Sequence, residues 1–329
     1  MKKTRIATCA LFVLLSILVS LFSIVPVKAD GVNNASVLYS TDWLMQPEEL
    51  NYIQWAFNDI YNLFAQQQIY YYYYWWPWYP WYVEPVYGHL RNYKSQTSTS
   101  LVQGQIVDCE ANHEFSTAFY FGHMNLRSVG YPYPWYSYGF RWQAAPDAGS
   151  ANTVWDSDVY YSPTVDNHHF VFLWVCNNGN VGGAENPLYG MPICWTRHNL
   201  SLDGYGDPNI PGDPDGSGYS FIGFQEASPT LSEDMIVGGP HGTNKFKHWL
   251  VFFYYYALSG YSVHDALWWA SWAAGYLGGW LDGANRLSQG DKYWFPGGGG
   301  KPAGEYWGKM RIYGDGNIYL PISHEVWSW

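Results

Sequence analysis

The sequence predicts an α/β domain built on a mostly parallel sheet that is covered on both faces. Three observations predict it. The segments AFYF (118–121), FVFLWV (170–175) and YSFIGF (219–224) are almost unbroken apolar runs, as in strands buried on two sides rather than one. Segments with helical periodicity alternate with them along the chain. With 48% hydrophobic residues, 20% aromatic and only 13% charged, the chain can fill a large core and is not of disordered composition.

The N-terminus reads as a secretory signal. Lys2, Lys3 and Arg5 precede the apolar run IATCALFVLLSILVSLFSIV, and VKA before Asp30 places the cut after residue 29. An uncleaved anchor is the rival reading, and both put residues 30–329, a single domain, outside the cytoplasm. Loss of residues 1–29 removes four Lys/Arg and no acid, moving the formal net charge from -11 to -15. Such a charge repels nucleic acid and anionic membrane, so neither is expected as a partner.

A first strand is expected in ASVLYST. A helix follows in QPEELNYIQWAFNDIYNLFAQQ, where Pro47, Glu48 and Glu49 suit a helix start and Leu50, Ile53, Phe57, Ile60 and Phe64 form one apolar face. IYYYYYWWPWYPWYVEPVYG begins with strand composition, but Pro77, Pro80 and Pro85 break it, so residues 70–88 read as a strand running into an aromatic loop. TSTSLVQGQIVDCEANHE reads as a short helix and turn. FSTAFYFGH is a strand ending at Gly122-His123, and residues 131–145 read as a second aromatic loop. HHFVFLWVC and GYSFIGF are further strands. TNKFKHWLVFFYYYALSG is a helix running from a Thr/Asn cap to Gly260. SVHDALWWASWAAGYLGG opens with Ser262 and Asp265 in a capping-box arrangement, and its His, Asp and glycines favour a buried helix over a membrane span. PGGGGKPAGE is a loop, and RIYGDGNIYL reads as two strands about a turn. No internal repeat is evident.

In a parallel α/β sheet the chemistry sits beyond the carboxyl ends of the strands. His123 and Cys176 both occupy such positions. If their strands are neighbours, the two ends lie roughly 5 Å apart. A thiolate is a nucleophile that a nearby imidazole can ionise, and the same imidazole can protonate a leaving amine. Backbone N–H groups of Gly122, Met124 and Cys176 are the oxyanion candidates. His168 and His169 lie at the far end of the Cys176 strand and His113 precedes its own strand, so none of them fits the base.

STAFYFGHMN and HHFVFLWVCNNG, with His before Cys, resemble the caspase-like cysteine peptidases, the clan of caspases, legumain, separase and gingipains. SGYSFIGFQEASP is similar to the strand and loop after the nucleophile. FYYYALSGYSVHDALWWAS is similar to a helix pair of the gingipain-like branches, and RIYGDGNIYL to their closing strand. The resemblance spans roughly residues 36–320. It implies a three-layer α/β/α sandwich and a Cys176–His123 endopeptidase that needs no cofactor and acts on protein or peptide. Gln225, Glu226 and Ser228 are then expected to line the substrate pocket. Met124 stands where the family usually has Gly, and Val175 where it has a small residue. These departures raise a second function class, an inactive scaffold whose aromatic segments 70–82 and 131–142 bind a cell-surface glycan or envelope protein. A self-assembling surface-layer or filament subunit is a third.

Weaker signals remain. Asp207, Asn209, Asp213 and Asp215 lie in a Gly/Pro-rich loop whose oxygen ligands suit calcium, though the spacing is not that of an EF-hand. Cys9 leaves with the signal, after which Cys109 and Cys194 could pair and leave Cys176 as a thiol. The cysteines and histidines show no close pairs of zinc-site spacing. Asn34 and Asn199 stand in Asn-x-Ser sequons.

Overall fold

In the computed structural model, residues 33–39, 47–93, 115–122, 124–129, 135–141, 153–160, 168–179, 190–196, 218–225, 227–232, 246–278, 292–295, 304–307 and 310–328 are described. The first half carries β1 (Asn33–Tyr39), α1 (Pro47–Ala65), β2 (Gln68–Tyr73), β3 (Tyr82–Pro85), β4 (Tyr87–Tyr93), β5 (Phe115–Phe121), β6 (Met124–Val129), β7 (Trp135–Arg141), β8 (Thr153–Trp155) and α2 (Asp156–Tyr160). The second half carries β9 (Phe170–Trp174), α3 (Met191–Thr196), β10 (Ser220–Phe224), α4 (Phe246–Ala257), α5 (Val263–Gly278), β11 (Lys292–Phe295), β12 (Gly304–Trp307), β13 (Met310–Gly314) and β14 (His324–Ser328).

Among the described residues the main sheet has six strands in the order β13-β10-β9-β5-β1-β4. All neighbours are parallel except β13, which runs antiparallel to β10. Strand alternation divides the buried side chains between two layers. Phe170, Phe172 and Trp174 of β9 join Phe119, Ile222 and Phe224 in one core with α1, α4 and α5. Val171, Leu173 and Val175 join Ala118, Tyr120 and Phe221 in a second core with β8, α2 and α3. Burial on both faces is why these strands read as continuous apolar runs.

The first layer is packed largely through rings. Phe57 stacks on Phe119 with centroids 4.9 Å apart, and Phe253 meets Phe172 edge-on at 5.5 Å. Each such phenyl group contributes roughly 1.5–3 kcal/mol by leaving water. The expected face of α1 is the one buried: Ile53, Phe57, Ile60 and Phe64 are in the core. The α4 helix ends through left-handed Gly260 (φ 91°). The Ser262 hydroxyl caps α5 by accepting from the Asp265 N–H at 3.1 Å. Trp249 of α4 donates its indole N–H to the Ser271 hydroxyl of α5 at 3.0 Å, which locks the two helices together. Among the described residues no helix is long and apolar enough to cross a membrane.

Several expectations are corrected. Part of the segment 131–145 is strand, because Tyr136, Tyr138 and Phe140 alternate with Ser137, Gly139 and Arg141, a period-two pattern outweighing the loop composition. Residues 70–88 contribute β2, β3 and the start of β4, and β4 is an edge strand whose polar residues hide it from a hydropathy reading. RIYGDGNIYL holds one strand, β13. After left-handed Gly314 the chain turns, and Tyr319 forms an isolated bridge with Ser262. Asn34 is fully buried in β1, so its sequon is closed to glycosylation in the folded chain. The expected helix at 97–114 and Asn199 lie outside the described residues.

Candidate active site around Cys176

Strand β9 ends at Trp174, Val175 is still buried, and Cys176 is the first half-buried residue beyond them. The chain then turns sharply. Asn177 takes a left-handed conformation (φ 59°), which Asn tolerates better than most side chains. The Asn178 side-chain amide donates to the Cys176 carbonyl at 3.1 Å, and the Gly179 N–H donates to the Phe224 carbonyl at 2.8 Å. The loop therefore folds back onto the end of β10.

This contact requires glycine on both sides. A Cβ at Gly179 would come within 2.8 Å of the Gly223 backbone, and one at Gly223 within 2.9 Å of the Gly179 nitrogen. The Tyr313 hydroxyl of β13 donates to the Gly179 carbonyl. The same hydroxyl accepts from the Gln225 amide at 3.1 Å, and Arg311 Nε donates to Gln225 Oε1 at 3.2 Å. Gln225 is thus tied into the support of the loop.

Ser228 meets the sulfur itself. Its backbone N–H donates to Cys176 Sγ at 3.3 Å, and its hydroxyl is 3.4 Å from the same atom. The adjacent Pro229 carbonyl accepts the Trp174 indole N–H at 2.6 Å, which pins the Ser228 segment beside β9. The backbone N–H is a fixed donor to the sulfur, while in the second contact either the thiol or the hydroxyl can donate. Cys176 is in no disulfide. Its own N–H is engaged by no described residue.

Of the residues named from sequence, the structure brings together Cys176, Ser228 and Gln225, the last two from the segment after β10. Ser228 contacts the sulfur and Gln225 braces the loop. Gly122 directly follows β5, and its N–H donates to the Trp174 carbonyl at 3.4 Å, so that donor is occupied as an extension of the sheet. Met124 begins β6, paired with Phe140. His123, Glu226 and Cys109 lie outside the described residues, as do Asp207, Asn209, Asp213 and Asp215. Cys194 is buried on α3 in the second core. Among the described residues no group of three His, Cys, Asp or Glu is arranged to hold a metal ion.

His168 and His169 sit at the amino end of β9. His168 meets the Trp195 ring edge-on at 4.9 Å, and His169 Nδ1 accepts the Ser116 N–H at 3.2 Å. Sequence reading missed the supports Gly179, Gly223, Tyr313 and Trp174. One signal was available for Gly223, since a glycine inside an apolar strand often marks a close backbone approach.

No family model, no curated protein and no solved structure matches this chain.

Proposed function

We propose that the chain is an exported cysteine endopeptidase of caspase-like architecture, with Cys176 as nucleophile and His123 as general base and acid. The observation that carries this reading is the pairing of β5 with β9. The two strands are parallel neighbours with Phe121 opposite Trp174. His123 and Cys176 each follow two residues later in the chain. The mostly parallel sheet between helical layers and the antiparallel closing strand β13 are in keeping with that architecture.

In the proposed reaction the Cys176 thiol gives its proton to the His123 imidazole. The thiolate attacks the peptide carbonyl, and the oxyanion of the tetrahedral intermediate is met by the Cys176 N–H. The carbon–nitrogen bond then breaks as the imidazolium protonates the leaving amine. Water, deprotonated by the neutral imidazole, hydrolyses the thioester and restores the thiol. The Ser228 N–H and hydroxyl hold the sulfur in place before attack.

The test is cleavage-site profiling. The protein lacking residues 1–29 is incubated with a proteome-derived peptide library, with and without calcium, beside Cys176→Ala and His123→Ala. Cuts that share a side chain before the scissile bond and vanish in both variants are expected. Absence of cuts from the folded parent, or cuts that persist in Cys176→Ala, overturns the proposal.

A further inference from the structure

A second site is suggested by the β2–β3 hairpin, which plays no part in the Cys176 chemistry. Every residue from Tyr70 to Tyr82 is Tyr, Trp or Pro. The hairpin is held by Tyr71 opposite Tyr82, and by the Trp81 N–H donating to the Tyr71 carbonyl at 2.9 Å. Strand β14 runs parallel to β2 on its other side and completes a three-stranded sheet. At the tip Trp75 is 65% exposed, Trp76 55%, Trp78 77% and Tyr79 74%.

The rings beneath the tip are braced. Tyr73 stacks with Trp75 at 5.0 Å and with Trp81 at 5.1 Å, and Tyr72 stacks with Trp327 of β14 at 4.8 Å. Side chains with only two torsions, held by neighbours, lose little entropy when a ligand covers them. With Tyr74, 52% exposed, five large rings open to water on one turn form an exposed patch of the kind that marks an interaction site.

The chemistry of the patch selects its occupant. From Gln68 to Val83 there is no charged side chain, so phosphate, nucleic acid and anionic lipid find no counter-charge. Apart from the small rings of Pro77 and Pro80, no residue from Tyr70 to Tyr82 has a side chain made purely of hydrocarbon, and there is no Leu, Ile, Val, Met or Phe to serve as a large apolar anchor. Each Tyr or Trp ring has an electron-rich face and an O–H or N–H at its rim. A pyranose ring is the complement: its C–H face carries slight positive charge and its edge carries hydroxyls. We propose that the hairpin tip binds an uncharged polysaccharide, with sugar rings stacked on Trp75, Trp76, Trp78 and Tyr79.

The experiment is co-sedimentation of the chain lacking residues 1–29 with insoluble cellulose, chitin and β-glucan, beside phosphatidylcholine vesicles. The comparison variant is the double substitution Trp75→Ala/Trp78→Ala. Both side chains are mostly exposed, so the variant is expected to keep its fold, shown by unchanged circular dichroism and an unchanged Cys176 alkylation rate. Retention on at least one polysaccharide is expected, insensitive to salt up to 1 M, and at least tenfold weaker in the variant. Three results overturn the proposal: no retention on any polysaccharide, retention unchanged in the folded variant, or vesicle binding that equals or exceeds polysaccharide binding. None of these readouts requires peptidase activity, so the outcome is independent of whether Cys176 cleaves peptides.

Discussion

Ser228 directs both its backbone N–H and its hydroxyl at the Cys176 sulfur, at 3.3 and 3.4 Å. The two residues are 52 positions apart. They meet because β9 and β10 are parallel neighbours and the segment after β10 is held to β9 by the Trp174–Pro229 hydrogen bond. The sulfur is therefore placed by a strand end and solvated by the protein rather than by water alone.

Ser228→Ala removes the hydroxyl contact and leaves the backbone N–H. Alkylation of Cys176 by iodoacetamide at mildly acidic pH is expected to slow about three- to tenfold, the range of one ordinary hydrogen bond. Ser228→Pro removes the hydroxyl and the N–H together and is expected to slow it further. A rate unchanged in Ser228→Ala would show that the hydroxyl does not act on the sulfur.

Gly223→Ala would put a methyl group 2.9 Å from the Gly179 nitrogen and 2.8 Å from the Phe221 ring. Backbone cannot yield as a flexible side chain does. A destabilisation of about 2 kcal/mol or more is expected, together with a changed Cys176 alkylation rate. Urea denaturation and alkylation on the same sample check both parts.

Tyr313→Phe deletes the hydroxyl that joins the Gly179 carbonyl to Gln225. Two groups lose their partner at once, so a loss of about 1–3 kcal/mol is expected. Hydrogen exchange should rise at Gly179 and its neighbours more than in α1, which packs on the other layer. Equal exchange throughout would mean that the hydroxyl does not hold this loop locally.

Glu49, in the first turn of α1, is 6% exposed, and burial pushes its carboxyl up to about 7. A carboxyl raised in the folded state holds its proton more tightly there than in the unfolded chain. Its contribution is thus fully present below about pH 4.5, its ordinary value, and is lost as pH rises through about 7. Denaturation midpoints are expected to fall across that window. Glu49→Gln should flatten the dependence and stabilise the protein at pH 8 by up to about 3 kcal/mol.

Much of the scaffold was legible because its signals are local. The period of α1, the Ser262 cap, the Gly260 stop and the two-face burial of β5, β9 and β10 each come from residues within a few positions of one another. The hairpin strands were harder to read, since Tyr and Trp suit a strand, an exposed turn and a binding surface alike. In β7 the alternation of ring and small residue was present, but composition alone reads it as a loop. Of the candidate site, the position of Cys176 could be inferred from where an apolar run stops. The role of Ser228 could not, because nothing in EASPT tells a pocket wall from a donor to a sulfur.

By itself the sequence determined the class of fold, the strands buried on both faces and, to within two residues, where the Cys176 strand ends, because hydrophobic period and strand ends are short-range properties. Only the tertiary structure decided the order β13-β10-β9-β5-β1-β4, the pairing of Phe121 with Trp174, the Gly179–Gly223 approach and the seat of Ser228 at the sulfur. Each of these joins segments dozens of residues apart. Such contacts are selected by packing two cores against one twisted sheet, and no local pattern of residues encodes that choice.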